Sequence, residues 1–253
     1  MSALGTGLSR LRAATGGAGT RWTAAAGDAG TRWTAAAGDA GARMAAAMVH
    51  RGDDWIRRRG QLSRGRTGRY RFAHFGEGTR IGFPVGCLFN TEWISLGSRT
   101  LVGEHVSLTA GMAPCQDLGD RPPLLWIGDA CVIGRGSHIV AHESVRIGGH
   151  VYVAPYVYIT DQNHGYTALE EPIGLQIPAN RPVVVGDGCW IGTGVIILPG
   201  TRLGRNVAVA GGAVVRGTFP DHCVIGGVPA RVLRRYEPGT GWRAVDLDRT
   251  RSA

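Results

Sequence analysis

The chain has 253 residues and a formal net charge of +9, with 28 Lys+Arg against 19 Asp+Glu, every one of the basic residues being arginine. Hydrophobic residues make up 43%, enough for a buried core, and 41 glycines exceed ordinary usage and suit a fold with many tight corners. The length allows one or two domains. No apolar run of roughly 18 residues occurs and no apolar stretch follows the N-terminus, so we expect a soluble, cytoplasmic protein. The basic balance favours anionic partners, such as phosphorylated cofactors, acidic membranes or nucleic acid, without choosing among them.

Residues 1–69 read as a low-complexity extension rich in Ala, Gly and Arg. An eleven-residue unit from Gly19 to Ala29 repeats identically from Gly30 to Ala40. Eleven residues is close to three helical turns, but each unit carries two Gly, so conditional helix or disorder is expected over 1–41. A helix is predicted over 42–59, with Met44, Met48, Trp55 and Ile56 roughly on one side. Arg57, Arg58, Arg59, Arg64, Arg66, Arg69 and Arg71 then crowd together. Over 51–71 this cluster reads as a solvated or subunit-packing linker, with weak contact to acidic membrane as the functional alternative. No interleaved aromatics of the kind that stack bases accompany it, so no nucleic acid is expected.

From residue 70 to 235 the chain changes character. Val185, Ile191, Ile197, Leu203, Val209 and Val215 recur at every sixth position. Four residues after each aliphatic stands a mostly compact residue, Cys189, Val195, Thr201, Val207 and Ala213, with Phe219 closing the run. A period of six fits neither an amphipathic helix nor a half-buried strand. It fits a triangular prism of stacked parallel coils, with the glycines after the aliphatics, Gly186, Gly192 and Gly204, expected where positive φ is needed. The fold predicted is an all-β, left-handed parallel β-helix with a partly helical extension and a short C-terminal cap.

The register opens at Phe75 and Ile81, breaks over 83–93, and resumes at Leu96, Val102 and Leu108. Residues 111–125 read as a loop off one corner. Ile127, Ile133 and Ile139 continue, then Ile147, Val153 and Ile159 after two extra residues placed at Val145 and Arg146. The pattern vanishes from Asp161 to Pro182, an excursion whose ends must be close in space. Residues 224–234 are expected to cap the last coil, and 236–253 to form a frayed tail. Cys87, Cys115, Cys131, Cys189 and Cys223 lack CxxC spacing and are read as structural thiols.

The excursion opens with Thr160-Asp161-Gln162-Asn163-His164-Gly165. A His at a strand-to-loop junction is a candidate general base, since imidazole titrates near neutral pH. No nucleophilic Ser or Cys motif lies near it, which points to direct proton abstraction without a covalent enzyme intermediate.

These segments, with Gly188-Cys189-Trp190-Ile191-Gly192, Ile197-Leu198-Pro199-Gly200 and the Gly-Gly-Val-Pro-Ala-Arg-Val end, resemble the hexapeptide-repeat acetyltransferases. The nearest branch is that of galactoside, maltose and capsule-sugar O-acetyltransferases. The resemblance covers roughly residues 72–235 and implies a homotrimer with active sites in clefts between adjacent prisms. It implies acetyl-CoA as acyl donor, a small-molecule or glycan acceptor, no metal, and His164 as the catalytic base. It places Trp190, Gly192, Thr193, Gly211, Gly212, Arg231 and Arg234 along CoA, and His142, Glu143, Asp161 and Asn163 near the acceptor. His142 stands where the galactoside enzymes carry an acceptor-site Asp, and Gly134 where they carry an Asn, so the acceptor is expected to differ. Two other readings stay open: a γ-carbonic-anhydrase-like zinc enzyme using His138, His142 and His164, and a non-catalytic scaffold.

Overall fold

The computed structural model describes residues 29–246. The first copy of the eleven-residue unit, apart from its final Ala29, and the last residues of the tail lie outside the described residues. By internal contacts the chain divides into Met1–His50 and Arg51–Ala253. The described part of the first unit is helical, within helix α1 (Ala29–Gly60). This helix starts well before residue 42, so the second copy of the repeat is helical. Its Thr-Ala-Ala-Ala core has the strongest helix former in three consecutive places, enough to carry the interspersed glycines. No helix among the described residues is long and apolar enough to cross a membrane.

In the second unit the arginines that end α1 are largely engaged within the chain. The Arg57 guanidinium donates to Asp53 and to Glu104, each at 2.7 Å. Arg59 lies over the Trp55 ring and Arg69 over Tyr70. These contacts lie within the chain, so Arg57, Arg59 and Arg69 are partnered locally and not simply solvated.

The rest is a left-handed parallel β-helix whose strands line three faces. In the direction the chain travels, the first face has ten strands, the second six and the third seven. One turn of the helix runs from Tyr152–Val153 on the first face to Tyr158–Thr160 on the second and Val183–Val185 on the third. The next coil begins at Trp190–Ile191, in parallel register on Tyr152–Val153. Leu62–Ser63 pairs antiparallel with Arg80–Ile81 and covers the opening of the first face. At the other end Cys223–Gly227, Ala230–Glu237 and Gly241–Ala244 form an antiparallel meander. The cap thus reaches into the segment expected to fray, because Trp242 packs edge-on against Tyr236, with ring centroids 5.9 Å apart, and fixes the last strand.

The sixfold positions point inward. Val185, Ile191, Ile197, Leu203, Val209 and Val215 are at most 3% exposed, and the residues four places later are all buried. Complete burial of such an aliphatic side chain contributes roughly 1.5–3 kcal/mol. Where the inner position is polar, its side chain donates to a carbonyl of the next coil. Thr201 Oγ1 reaches Val215 O at 3.1 Å, Cys131 Sγ reaches Gly148 O at 3.1 Å, and Cys189 Sγ reaches Gly204 O at 3.1 Å. A small donor satisfies the corner carbonyl without overfilling the prism. Burial pushes the Cys189 thiol up to about 11 and raises Cys131 and Cys223 as well.

The corner glycines differ from expectation. Positive φ falls two residues later than predicted, at Gly188, Gly194, Gly200, Asn206 and Gly212. Gly186, Gly192 and Gly204 are required for a different reason: there is no room for a side chain. A Cβ on Gly186 would lie 2.5 Å from Gly204 O, and one on Gly204 would lie 2.3 Å from the Asp221 carboxylate. Along this third-to-first corner Asp129, Asp187 and Asp221 accept the N–H groups of Ser98, Gly149 and Arg205 at 2.6, 2.8 and 2.9 Å. Each carboxylate belongs to the coil above the N–H it binds, so the row ties successive turns together.

The extra length after Ile139 is also displaced. Val145 and Arg146 pair in ordinary register with Leu125 and Trp126 below and Val183 and Val184 above. The two added residues instead widen the second-to-third corner at 142–144.

Two outcomes follow. Gly186→Ala should lower stability by about 1–3 kcal/mol in denaturant unfolding, since backbone must shift to admit the methyl group; Gly174→Ala, with nothing within 4 Å, should be near neutral. With Ellman's reagent the native protein should expose the thiols of Cys87 and Cys115 and protect Cys131, Cys189 and Cys223, which are buried; all five should react after denaturation.

Candidate active site

Several departures from the plain hexapeptide rhythm leave the prism at the second-to-third corner: the loop after Ala110, the widened corner at 142–144, and the excursion from Asp161 to Pro182. Parallel pairing of Ser107–Ala110, His138–Ala141 and Tyr158–Thr160 stacks these departures one above another. Polar side chains that no coil interior could hold are thereby gathered at one edge.

At the base of the excursion lies Asp161, fully buried at 0% exposure. Its Oδ1 accepts the N–H of His142 at 2.8 Å, and its Oδ2 accepts those of Glu143 and Ser144 at 2.8 and 2.6 Å. The resemblance placed Asp161 against the acceptor. In the structure both of its carboxylate oxygens accept backbone N–H groups and its side chain is buried. The Asp161 carbonyl accepts the Arg181 N–H at 2.8 Å, so the two ends of the excursion do meet.

The next residues are held by their own side chains. The Thr160 hydroxyl accepts the Gln162 N–H at 3.2 Å, and the Asn163 side-chain oxygen accepts the His164 N–H at 2.9 Å. Asn163 and His164 are exposed. Beyond His164 the loop is organised by Gln176, 7% exposed. The Gln176 carbonyl accepts the Gly165 N–H at 2.8 Å. Its side chain accepts from Ala168 N at 3.1 Å and donates to Ala168 O and Glu171 O, both at 2.8 Å. Gln176 was not singled out from the sequence; a lone amide in a structureless stretch carries no periodic signal.

His142 is half-buried beside this group and Glu143 is exposed. Burial lowers the His142 pKa below the usual imidazole value, and the neighbouring Asp161 carboxylate partly opposes that. His138 is exposed, as its place before inward Ile139 requires. Among the described residues no three His, Cys, Asp or Glu side chains form a metal-holding set, so His138, His142 and His164 do not converge within the chain.

The remaining site residues lie elsewhere. Trp190 is 53% exposed on the first face, in register with Tyr152 and Ala208. Gly192, Thr193, Gly211 and Gly212 share the first-to-second corner, where Gly212 N donates to Thr193 O at 2.9 Å and a Cβ on Gly192 would meet Gly211 N at 2.6 Å. Arg231 and Arg234 project from the cap strand, opposite Gly226 and Val224. The structure thus brings His142, Glu143, Asp161, Asn163 and His164 together at one edge of the second face. It assembles Trp190, the glycines and the arginines at and beyond the opposite edge, and does not unite the two sets in one chain. An open groove of about 350 Å³ runs along the third-to-first corner beside Trp126, Arg146 and Arg205, with the Arg146 guanidinium 5.4 Å from the indole centroid. It contains none of these site residues.

Comparison with known proteins adds the following likenesses. Residues 182–217 match the Hexapep family, the bacterial transferase hexapeptide (six repeats). Of solved structures, the chain is similar in fold to AntD from Bacillus cereus, described as an N-acyltransferase, with a TM-score of 0.54, 16% identity, and coverage of 72% of this chain and 88% of that one. In sequence it is 35% identical over 124 residues to WbbJ of Escherichia coli (strain K12), a protein named for O-acetyl transfer in lipopolysaccharide biosynthesis; the match covers 46% of this chain and 63% of WbbJ. It is also 35% identical over 162 residues to the probable acetyltransferase Rv3034c of Mycobacterium tuberculosis (strain ATCC 25618 / H37Rv), covering 64% of this chain and 48% of the relative. The chain therefore spans about half to two-thirds of the length of these curated relatives. It carries the hexapeptide repeat of the bacterial transferases, and its relatives bear acetyltransferase names.

Carbon-detected or proton NMR titration of the His142 ring should give a midpoint below the ordinary value of about 6.5, because burial disfavours the imidazolium. A midpoint above that value would contradict the half-buried placement.

Proposed function

We propose that this chain is a CoA-dependent O-acyltransferase that transfers acetyl from acetyl-CoA to a hydroxyl of a sugar or sugar-bearing metabolite. The observation that carries the reading is His164: an exposed imidazole on a backbone pinned by Asn163, at an edge where the hexapeptide rhythm gives way to a long, ordered excursion. His164 takes the proton of the acceptor hydroxyl as its oxygen bonds to the thioester carbonyl carbon; the tetrahedral intermediate then breaks its C–S bond, and the departing CoA sulfur takes that proton back from the His164 imidazolium. No covalent acyl-enzyme is needed, and no Ser or Cys stands beside His164 in sequence to form one. Backbone N–H groups lining the cleft supply the charge stabilisation on which acyl transfer most depends.

The donor set supports the same reading. At Gly192, Gly211 and Gly212 the corner presents bare backbone, which lets the pantetheine arm lie close. The exposed Arg231 and Arg234 guanidinia offer planar, bidentate partners for CoA phosphates. Since one chain holds the base and the donor residues at separate edges, a complete site requires His164 of one copy to face the donor corner of another. A closed homotrimer satisfies this with three equivalent clefts. His142, Glu143 and Asn163 then border the acceptor, and an imidazole at His142 in place of a carboxylate favours an acceptor other than galactoside.

Replacing His164 by Ala should lower turnover by about 10²–10⁴-fold, the usual worth of a general base, with CoA affinity nearly unchanged. Thiol release from acetyl-CoA, followed across a panel of carbohydrate and lipid-linked sugar acceptors, measures the first; calorimetric titration with CoA measures the second. A normal rate in the variant removes His164 from the mechanism.

A further inference from the structure

The widened corner at 142–144 has one feature that neither the hexapeptide rhythm nor the general base explains. Three successive backbone N–H groups, of His142, Glu143 and Ser144, converge on a single buried anion, the Asp161 carboxylate. Consecutive amides arranged in this way form an anion-binding concavity. They present donors only, and a carboxylate is the side chain that answers with acceptors only. The corner belongs to one coil and Asp161 to the next. Asp161 also stands three residues before His164, and its own carbonyl holds the returning end of the excursion through the Arg181 N–H. A plain corner on the same edge, Leu198–Gly200, closes without any such residue.

We propose that Asp161 is the positioning residue of this site: its carboxylate clamps the His142 corner and the His164 segment to each other, so that both imidazoles address the same acceptor. The role rests on the acyltransferase reading given above. Asp161 itself touches neither substrate, since it is fully buried. Its effect is exerted through the backbone on either side, where a displacement of about 1 Å can cost 10²-fold in rate.

The experiment compares the full-length wild-type protein with Asp161→Asn, and with Asp161→Glu as the second variant. Asn keeps an acceptor for part of the corner but sets an NH₂ group against the remaining N–H donors. Glu keeps the charge on a longer arm that cannot hold the same geometry. Three quantities are read: kcat and KM for acetyl-CoA-dependent thiol release, CoA affinity by calorimetry, and hydrogen exchange of the 142–144 amides. We expect kcat to fall about 10–100-fold. KM for acetyl-CoA and CoA affinity should stay within about threefold, the pattern of an interaction realised in the transition state. Amides 142–144 should exchange faster in Asp161→Asn, and the His142 midpoint should drop further as the carboxylate is removed. Faster exchange with unchanged kcat would overturn the inference. So would a uniform loss of kcat, CoA affinity and thermal stability in both variants, or failure of both to fold, each of which assigns Asp161 to stability alone. A wild-type protein that releases no thiol with any acceptor defeats the acyltransferase reading itself and this role with it; an active wild type with an unaffected Asp161→Asn defeats only the role.

Discussion

Everything in the prism depends on how closely one coil can lie on the next. Hydrogen-bonded strands stack at about 4.8 Å, and on the flat sides this leaves space for side chains directed in or out. At the corners the backbone turns and the same separation leaves none. A Cβ on Gly186 would fall 2.5 Å from Gly204 O, and one on Gly134 2.5 Å from Ala154 C. Glycines such as Gly134 and Gly186 therefore record contact between turns. The inward aliphatic column supplies the favourable free energy, while the bare corners permit the approach that lets it be buried.

The hexapeptide cadence was readable because its cause is local: an inward position every sixth residue and a compact one four places on. The missing rhythm between Asp161 and Pro182 was equally plain. What each glycine does was harder to read. Positive φ and close approach both select Gly, and only coordinates separate Gly188, which is left-handed, from Gly186, which is not. The antiparallel closure by Leu62–Ser63 and by Gly241–Ala244 escaped notice because two to four residues paired at an end leave no periodic trace. Asp161 and Gln176 show the same limit. Their polar neighbours are chosen by tertiary contact, and a polar residue in an aperiodic stretch resembles a solvated one until its partners are seen.

The division of the candidate site between two corners also has a physical origin. A corner cannot both carry a long excursion and remain a smooth backbone ledge. The second-to-third corner holds the imidazoles because its departures make room for polar side chains. The first-to-second corner at Gly192, Gly211 and Gly212 keeps the tight form on which a thin, extended ligand can lie. A prism of this kind has a filled interior, so a ligand can approach only its outer faces and corners.

The second-to-third corner has a wider consequence. Its departures include a loop, an enlarged turn and the long ordered excursion, yet the strands on either side keep their pairing from coil to coil. Chain can be spliced in there without disturbing a single inward aliphatic residue. That edge can lengthen, shorten or exchange its decoration while the column beneath stays constant, so the prism tolerates there what it could accept nowhere along its flat sides.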